Sequence, residues 1–313
     1  MAESKIAVYG AIAANSAIAV TKFIVAGVTG SSAMLSEAVH STVDTGNGIL
    51  LLIGMSRSQQ PATPKHPFGH GKELYFWSLI VAVLIFGLGG GISFYEGVQH
   101  VLAPVPLTDP FWNYVVLAAA AVFEGASLGV ALHQFQSEKG PRPFWRALHT
   151  SKDPSTYTVI AEDSAALLGL LIAGAGVWAS HTFQLPVLDG VASILIGLLL
   201  AGVAVLLVSE ARGLLVGEGV RPETAEQLRQ LALRPDEVRS ASMPLTMYMG
   251  PDDVLLAMDV AFRNGTPAEQ TARVVNAIER DMRAQFPRIR RIYIEAHEER
   301  DDPNDVPLPT PST

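Results

Sequence analysis

The sequence predicts a membrane α-helical bundle of six transmembrane helices, followed by a C-terminal cytoplasmic α+β domain of order α-β-β-α-β. Three observations carry this prediction. Only 17% of the 313 residues are charged, against about 25% in soluble globular domains, and mean hydropathy is +0.29. The charges are also unevenly spread: residues 1–213 hold 10 Lys/Arg and 13 Asp/Glu, whereas the last 100 residues hold 12 and 17. Finally, six stretches approach the roughly 20 apolar residues that a bilayer-spanning helix needs: about 6–28, 33–56, 76–100, 111–134, 156–180 and 187–210.

The first stretch is read as a span rather than a cleaved leader. One basic residue, Lys5, precedes it, and no A-x-A-type exit comes before the second. Gly87, Gly91, Gly169 and Gly197 fall inside spans, where small residues let helices approach closely in lipid. Orientation follows from the basic residues. The connections near 29–32, 101–110 and 181–186 contain none. The alternate ones carry Arg57, Lys65 and Lys72, then Lys139, Arg142, Arg146 and Lys152. With Lys5 before the first span and Arg212 after the sixth, both termini are expected in the cytoplasm. Trp77, Trp112, Trp145 and Trp178 fall near the expected boundaries, as an aromatic belt requires. No tandem repeat interrupts this order.

From Gly213 the pattern changes. Pro222 opens a helix to Leu233, with Ala225, Leu228 and Leu231 on one face. Val238–Met249 and Val254–Phe262 read as strands joined by the turn Gly250-Pro-Asp-Asp253. Thr266-Pro267 opens a second helix to about Gln285, and Ile289–Ala296 alternates as a third strand. The expected domains are therefore 1–212 in the membrane and 213–299 in the cytoplasm, with 300–313 a disordered Pro- and Asp-rich tail.

Several function classes drop out. Net charge is −8 with no basic cluster, which argues against nucleic acid as a partner. The absence of cysteine removes disulfides, thiolate metal sites and Cys nucleophiles. There is no Gly-x-Ser-x-Gly, His-Glu-x-x-His or P-loop, so no enzyme and no permanent cofactor is expected.

Ionisable side chains inside a membrane are costly and mark function. Those singled out are Glu37, His40 and Asp44 in the second span, Glu124 in the fourth, and Glu162 and Asp163 in the fifth. Glu96, Asp189 and Glu210 are placed near interfaces that water reaches, and His100, His133, His149 and His181 at span ends or loops. His40 and Asp44 stand four apart and share a helix face, a spacing that lets one imidazole and one carboxylate hold the same divalent ion. Asp163 lies at a similar depth in its span, some eight residues or about 12 Å from the cytoplasmic end. With Glu162 the three make a constellation of one imidazole and three acids. Glu37, one turn from His40, is read as ligand or support for the ligands, and Glu124 as a bundle-lining residue or a more distant partner.

Ser36-Glu-Ala-Val-His-Ser-Thr-Val-Asp44 and Pro67-Phe-Gly-His-Gly71 together resemble the cation diffusion facilitator family, and the likeness spans residues 5–299. The Lys152-Asp-Pro…Val-Ile-Ala-Glu-Asp-Ser-Ala-Ala166 string is similar to the divergent branch that includes a mitochondrial zinc transporter. The resemblance implies a homodimer that exports divalent metal, commonly zinc, in exchange for protons. It implies a transport site of His40, Asp44 and Asp163. The family's fifth-span His falls on Val159, and Glu162 is the candidate that takes its place. With one imidazole and several carboxylates, zinc is the expected cargo, and Mn²⁺ or Fe²⁺ also suits the oxygen-rich set. A non-transporting, metal-responsive membrane regulator is the alternative from another class. His66 and His70 are read as a peripheral metal pair or as a cap on the third span, with Thr63 where the family's loop acid would fall. His297, alone in its domain, is read as a surface strand residue. Compact loops and no targeting segment point to a bacterial inner membrane.

Overall fold

The computed structural model describes residues 2–107, 109–138, 143, 144 and 154–298, with side chains from Asn15 onward except at 138, 155, 156 and 298. Lys139, Arg142, Trp145, Arg146, His149, Lys152 and the 300–313 tail lie outside the described residues. The chain divides into two compact units, Met1–Arg57 with Glu73–Arg212, and Ser58–Lys72 with the chain from Gly213 on.

Among the described residues, all the regular structure of the first unit is helical. Its helices are α1 (Ala2–Thr29), α2 (Ser32–Ser58), α3 (Glu73–Leu84), α4 (Gly91–Leu102), α5 (Phe111–Glu138), α6 (Pro154–Phe183) and α7 (Val187–Val216). α3 and α4 form one rod through a π-helical turn, Ile85–Gly90, where Phe-Gly-Leu-Gly-Gly offers little side-chain resistance to the wider turn. Four stretches are long and apolar enough to cross a membrane: Glu73–Leu102, Phe111–Ser137, Tyr157–Phe183 and Val187–Val216. α2 has the length, 27 residues or about 40 Å, but carries a polar stripe. Ser32, Ser36, Glu37, His40, Ser41 and Asn47 are all buried along it. α1 is apolar over Asn15–Thr29.

The outer surface of this unit is oily. Val28, Val122 and Leu171 are 67%, 72% and 69% exposed. So much bare hydrocarbon is a liability in water and the expected finish in lipid. Inside, Met34, Val81, Ile85, Ala173, Ile196 and Leu200 share one core. α4 and α7 touch backbone to backbone. A Cβ on Gly97 would lie 2.6 Å from the Ile194 nitrogen, and one on Gly197 would lie 2.7 Å from the Phe94 nitrogen. Without side chains at these positions the helices gain the close packing that replaces hydrophobic drive in lipid.

The second unit is a sheet with two helices, α8 (Pro222–Ala232) and α9 (Ala268–Gln285). β3 (Asp253–Phe262) is central. β4 (Ile289–Glu298) pairs with it in parallel, and β1 (Val238–Ala241) and β2 (Leu245–Gly250) pair with it antiparallel. Leu228, Leu256, Met258, Ile278 and Met282 form its core. One expectation needs correcting: the strand expected over Val238–Met249 is two strands along the same edge of β3. Pro244 has no N–H for the ladder, and Ser242 spans the break, its N–H donating to the Asp259 carbonyl (3.0 Å) while its hydroxyl accepts the Asp259 N–H (2.9 Å). The order is therefore α-β-β-β-α-β. Ser58–Lys72 packs in this unit. A Cβ on Gly71 would collide with the Met249 carbonyl at 2.2 Å, and Lys72 Nζ donates to the Leu215 carbonyl at 3.3 Å.

Candidate metal-transport site

The site is built along α2, whose start is fixed first. Gly30 takes φ +73° and ends α1, its N–H closing on the Ala26 carbonyl at 2.9 Å. Ser31 then caps α2 in the expected way, its hydroxyl accepting the Met34 N–H at 3.1 Å. The other free donors of the first turn reach across to α7. Asp189 Oδ2 accepts the Ser32 N–H (2.6 Å), the Ser32 hydroxyl (3.0 Å) and the Ala33 N–H (3.3 Å), and Asp189 Oδ1 accepts the Ser31 hydroxyl (2.7 Å). One turn on, the Ser36 and Ser193 hydroxyls meet, and Ser193 donates to the Ser93 carbonyl on α4. Asp189 was expected near water. It is fully buried, because the positive end of α2 and four donors replace the solvent that a lone carboxylate would need. His100 is likewise buried, with Nε2 3.9 Å from Asp189, rather than interfacial.

The next turns hold the chemistry. His40 is 2% exposed, its Nδ1 is 3.4 Å from Asp44 Oδ1, and neither ring nitrogen nor that oxygen has a hydrogen-bond partner. Asp44 also lines a narrow cleft with Asn15, Ile18, Ser41 and Glu124. Asn47 donates to Glu162 Oε1 at 2.9 Å, which ties the fifth-span acid to the face of α2 that carries His40 and Asp44. Asp163, 100° further round α6, turns to α5 and accepts the Ser127 hydroxyl at 2.7 Å. Of the two neighbouring acids, Glu162 is thus joined to α2 and Asp163 to α5. Among the described residues no three His, Asp or Glu side chains converge closely enough to enclose an ion. Each α6 acid accepts instead from a neutral donor.

Glu37 does not point into this set. Its Oε2 takes a 3.0 Å ion pair from Lys22 on α1, and Lys22 also donates to Ser41 Oγ at 2.7 Å. Glu37 Oε1 lies where a Cβ on Gly169 would be, 2.5 Å away, so that glycine makes room for a carboxylate. Sequence reasoning missed two residues here. Lys22 was lost in an apolar stretch, although a lysine at that depth is itself the signal. Asn47, three residues after Asp44 on the same stripe, was passed over because an amide carries no charge.

In the loop, the His66 and His70 rings sit 4.5 Å apart, centroid to centroid. Thr63 and His66 exchange backbone hydrogen bonds of 3.1 and 3.0 Å, and His70 Nδ1 lies 3.2 Å from the Pro61 carbonyl. Thr63 thus serves as a turn residue where an acid would be needed to complete a metal set. His297 stands opposite Ala261 in the β3–β4 ladder.

Residues 8–216, which contain the His40–Asp44 pair and the α5 and α6 acids near it, match the cation efflux transmembrane domain. The chain belongs to the cation efflux family and is an integral membrane protein; members of that family are transporters rather than enzymes. It is 37% identical over 221 residues to the mitochondrial proton-coupled zinc antiporter SLC30A9 of Homo sapiens, covering 70% of this chain and 39% of that protein's length. It is 34% identical over 241 residues to metal tolerance protein C4 of Arabidopsis thaliana, covering 75% and 52%. Magnetosome protein MamM of Paramagnetospirillum magneticum shares 26% identity over 298 residues, covering 91% and 85%. The chain thus spans well under two thirds of the length of SLC30A9 and of C4.

Proposed function

We propose that the protein moves a divalent metal ion, zinc first, out of the cytoplasm in exchange for protons, working as a homodimer with six spans and cytoplasmic termini. The observation that carries this reading is the His40–Asp44 pair, in which both ring nitrogens and one carboxylate oxygen are buried without a hydrogen-bond partner. Buried polar atoms are rarely left unmatched in a finished structure. An imidazole nitrogen and a carboxylate oxygen, open on one helix face, are what a divalent cargo would fill. Glu162 and Asp163 are the further ligands. Each would exchange its neutral donor, Asn47 or Ser127, for the cation, so capture draws α6 towards α2. The human relative is a zinc antiporter and the plant relative a metal tolerance protein, which favours zinc, and the oxygen-rich set keeps Mn²⁺ and Fe²⁺ as competitors. The membrane it serves is proposed to be a bacterial inner membrane.

Proton exchange follows from the ligand chemistry. Imidazole and carboxylates must be free of protons to hold the metal, so release on the far side leaves groups ready to accept them. His66 and His70 are a two-imidazole pair that could hold metal only with a ligand from elsewhere. The test is zinc uptake into inside-out vesicles under a proton gradient. Wild-type protein accumulates zinc, and Asp44→Ala and Asp163→Ala do not. Equal uptake in both variants overturns the site, and no uptake by wild type favours a metal-responsive regulator. Competition among Zn²⁺, Mn²⁺ and Fe²⁺ in the same assay ranks the cargo.

A further inference from the structure

Lys22 is the one fully buried Lys or Arg among the described residues. Its ammonium bonds to α2 at Glu37 and Ser41, the positions that bracket His40. The ion pair is asymmetrically placed. Glu37 turns its free oxygen towards Gly169 on α6, whereas Lys22 is held on Ser41, a wall of the cleft that Asp44 and Glu124 also line. The pair is therefore a dipole with its positive end beside the cleft.

From this placement we infer that Lys22 is an affinity-setting residue, a resident cation that weakens the site's hold on its divalent cargo enough for the cargo to leave. The inference rests on His40 and Asp44 holding the metal. The three acids and one imidazole of the proposed ligand set, once gathered on a divalent ion, would otherwise bind it so strongly that release limits turnover. A fixed positive charge close to the cleft opposes a second, mobile one through the same low-dielectric interior. Lys22 does not touch the ion; it acts through the field and through Ser41. A purely structural pin between α1 and α2 predicts the opposite sign, since removing it would loosen the ligands and weaken binding.

The experiment is a Zn²⁺ titration of the purified full chain at fixed pH, beside vesicle uptake kinetics. Lys22→Gln/Glu37→Gln keeps a hydrogen-bonding pair and removes both charges. Lys22→Met/Glu37→Leu replaces the pair with apolar residues, a swap that buried ion pairs often tolerate, and serves if the amide pair does not fold. Lys22→Arg keeps the charge. Either neutral pair is expected to bind Zn²⁺ about tenfold tighter, with KM and the maximal uptake rate both falling. Lys22→Arg should bind as wild type does. Unchanged or weaker binding by a folded neutral pair, with Asp44→Ala abolishing binding, overturns the role of Lys22 and leaves the site standing. Wild-type-like binding by Asp44→Ala overturns the site and this inference with it.

Discussion

Along α2, two polar stretches within four turns are treated in opposite ways. At the start, Ser31, Ser32 and Ala33 present hydroxyls and N–H groups, and Asp189 and Ser31 accept them. One turn later, Glu37 Oε1, both nitrogens of His40, Asp44 Oδ1 and Asn47 Oδ1 are buried without partners. The helix, its burial and its residue types are similar; the accounting of donors and acceptors is not. Saturation is what an anchor needs, because every matched group resists movement. Unmatched groups in the same environment mark the place where a ligand from outside the chain completes the set. The contrast separates architecture from function in a way that burial or polarity alone does not.

The sharpest way to break the comparison is to exchange the roles of its two aspartates. Asp189→Ala strands two buried helix N–H groups and two hydroxyls. It should cost about 3 kcal/mol or more, read as a fall in thermal midpoint of several degrees, with metal affinity of the folded fraction unchanged. If the affinity falls as well, the start of α2 belongs to the site. A smaller effect distinguishes acids within the site. Glu162→Gln removes the acid tied to α2 through Asn47 and should weaken zinc binding about tenfold, whereas Glu124→Gln, whose carboxylate shares only the cleft wall with Asp44, should do so by a few-fold at most. The reverse ranking removes Glu162 from the ligand set. The smallest effect lies outside the membrane. The Gln270 side chain donates to Glu237 at 2.7 Å and holds its carboxyl below the ordinary value of 4.5. A depressed carboxylate contributes stability that is present above that value and lost as pH falls through the folded one. The sheet unit should therefore lose thermal stability on acidification below about pH 4.5, and slightly less of it in Gln270→Ala. Glu237 is only partly buried, so an equal loss in both would show the bond to be energetically silent.

Much of the architecture was legible because lipid imposes a one-dimensional code. Five of the six apolar stretches each lie within one helix, from 6–28 in Ala2–Thr29 to 187–210 in Val187–Val216, and 76–100 runs through α3, the π turn and α4. The π turn at Ile85–Gly90 was not legible, since Gly-rich sequence permits it without demanding it. The break at Pro244 carried a signal, a residue unable to join a ladder, which hydrophobic pattern outweighed. Within the site, the types and spacing of His40, Asp44, Glu162 and Asp163 were readable. Their directions were not, because 100° between adjacent α6 residues decides that one acid meets Asn47 and the other Ser127. Asp189 illustrates the converse: position near a span end suggested water, and only the fold reveals that the end of α2 has taken water's place.

The central claim is that the unmatched stretch of α2 binds the metal. Zinc titration of the full chain with wild-type protein beside Asp44→Asn, thermal midpoints measured in parallel, tests it most directly. Wild type is expected to bind, and Asp44→Asn to lose binding by about 100-fold or more with its midpoint unchanged or raised, since a largely desolvated charge has been removed. Retained binding in a folded Asp44→Asn protein would contradict it.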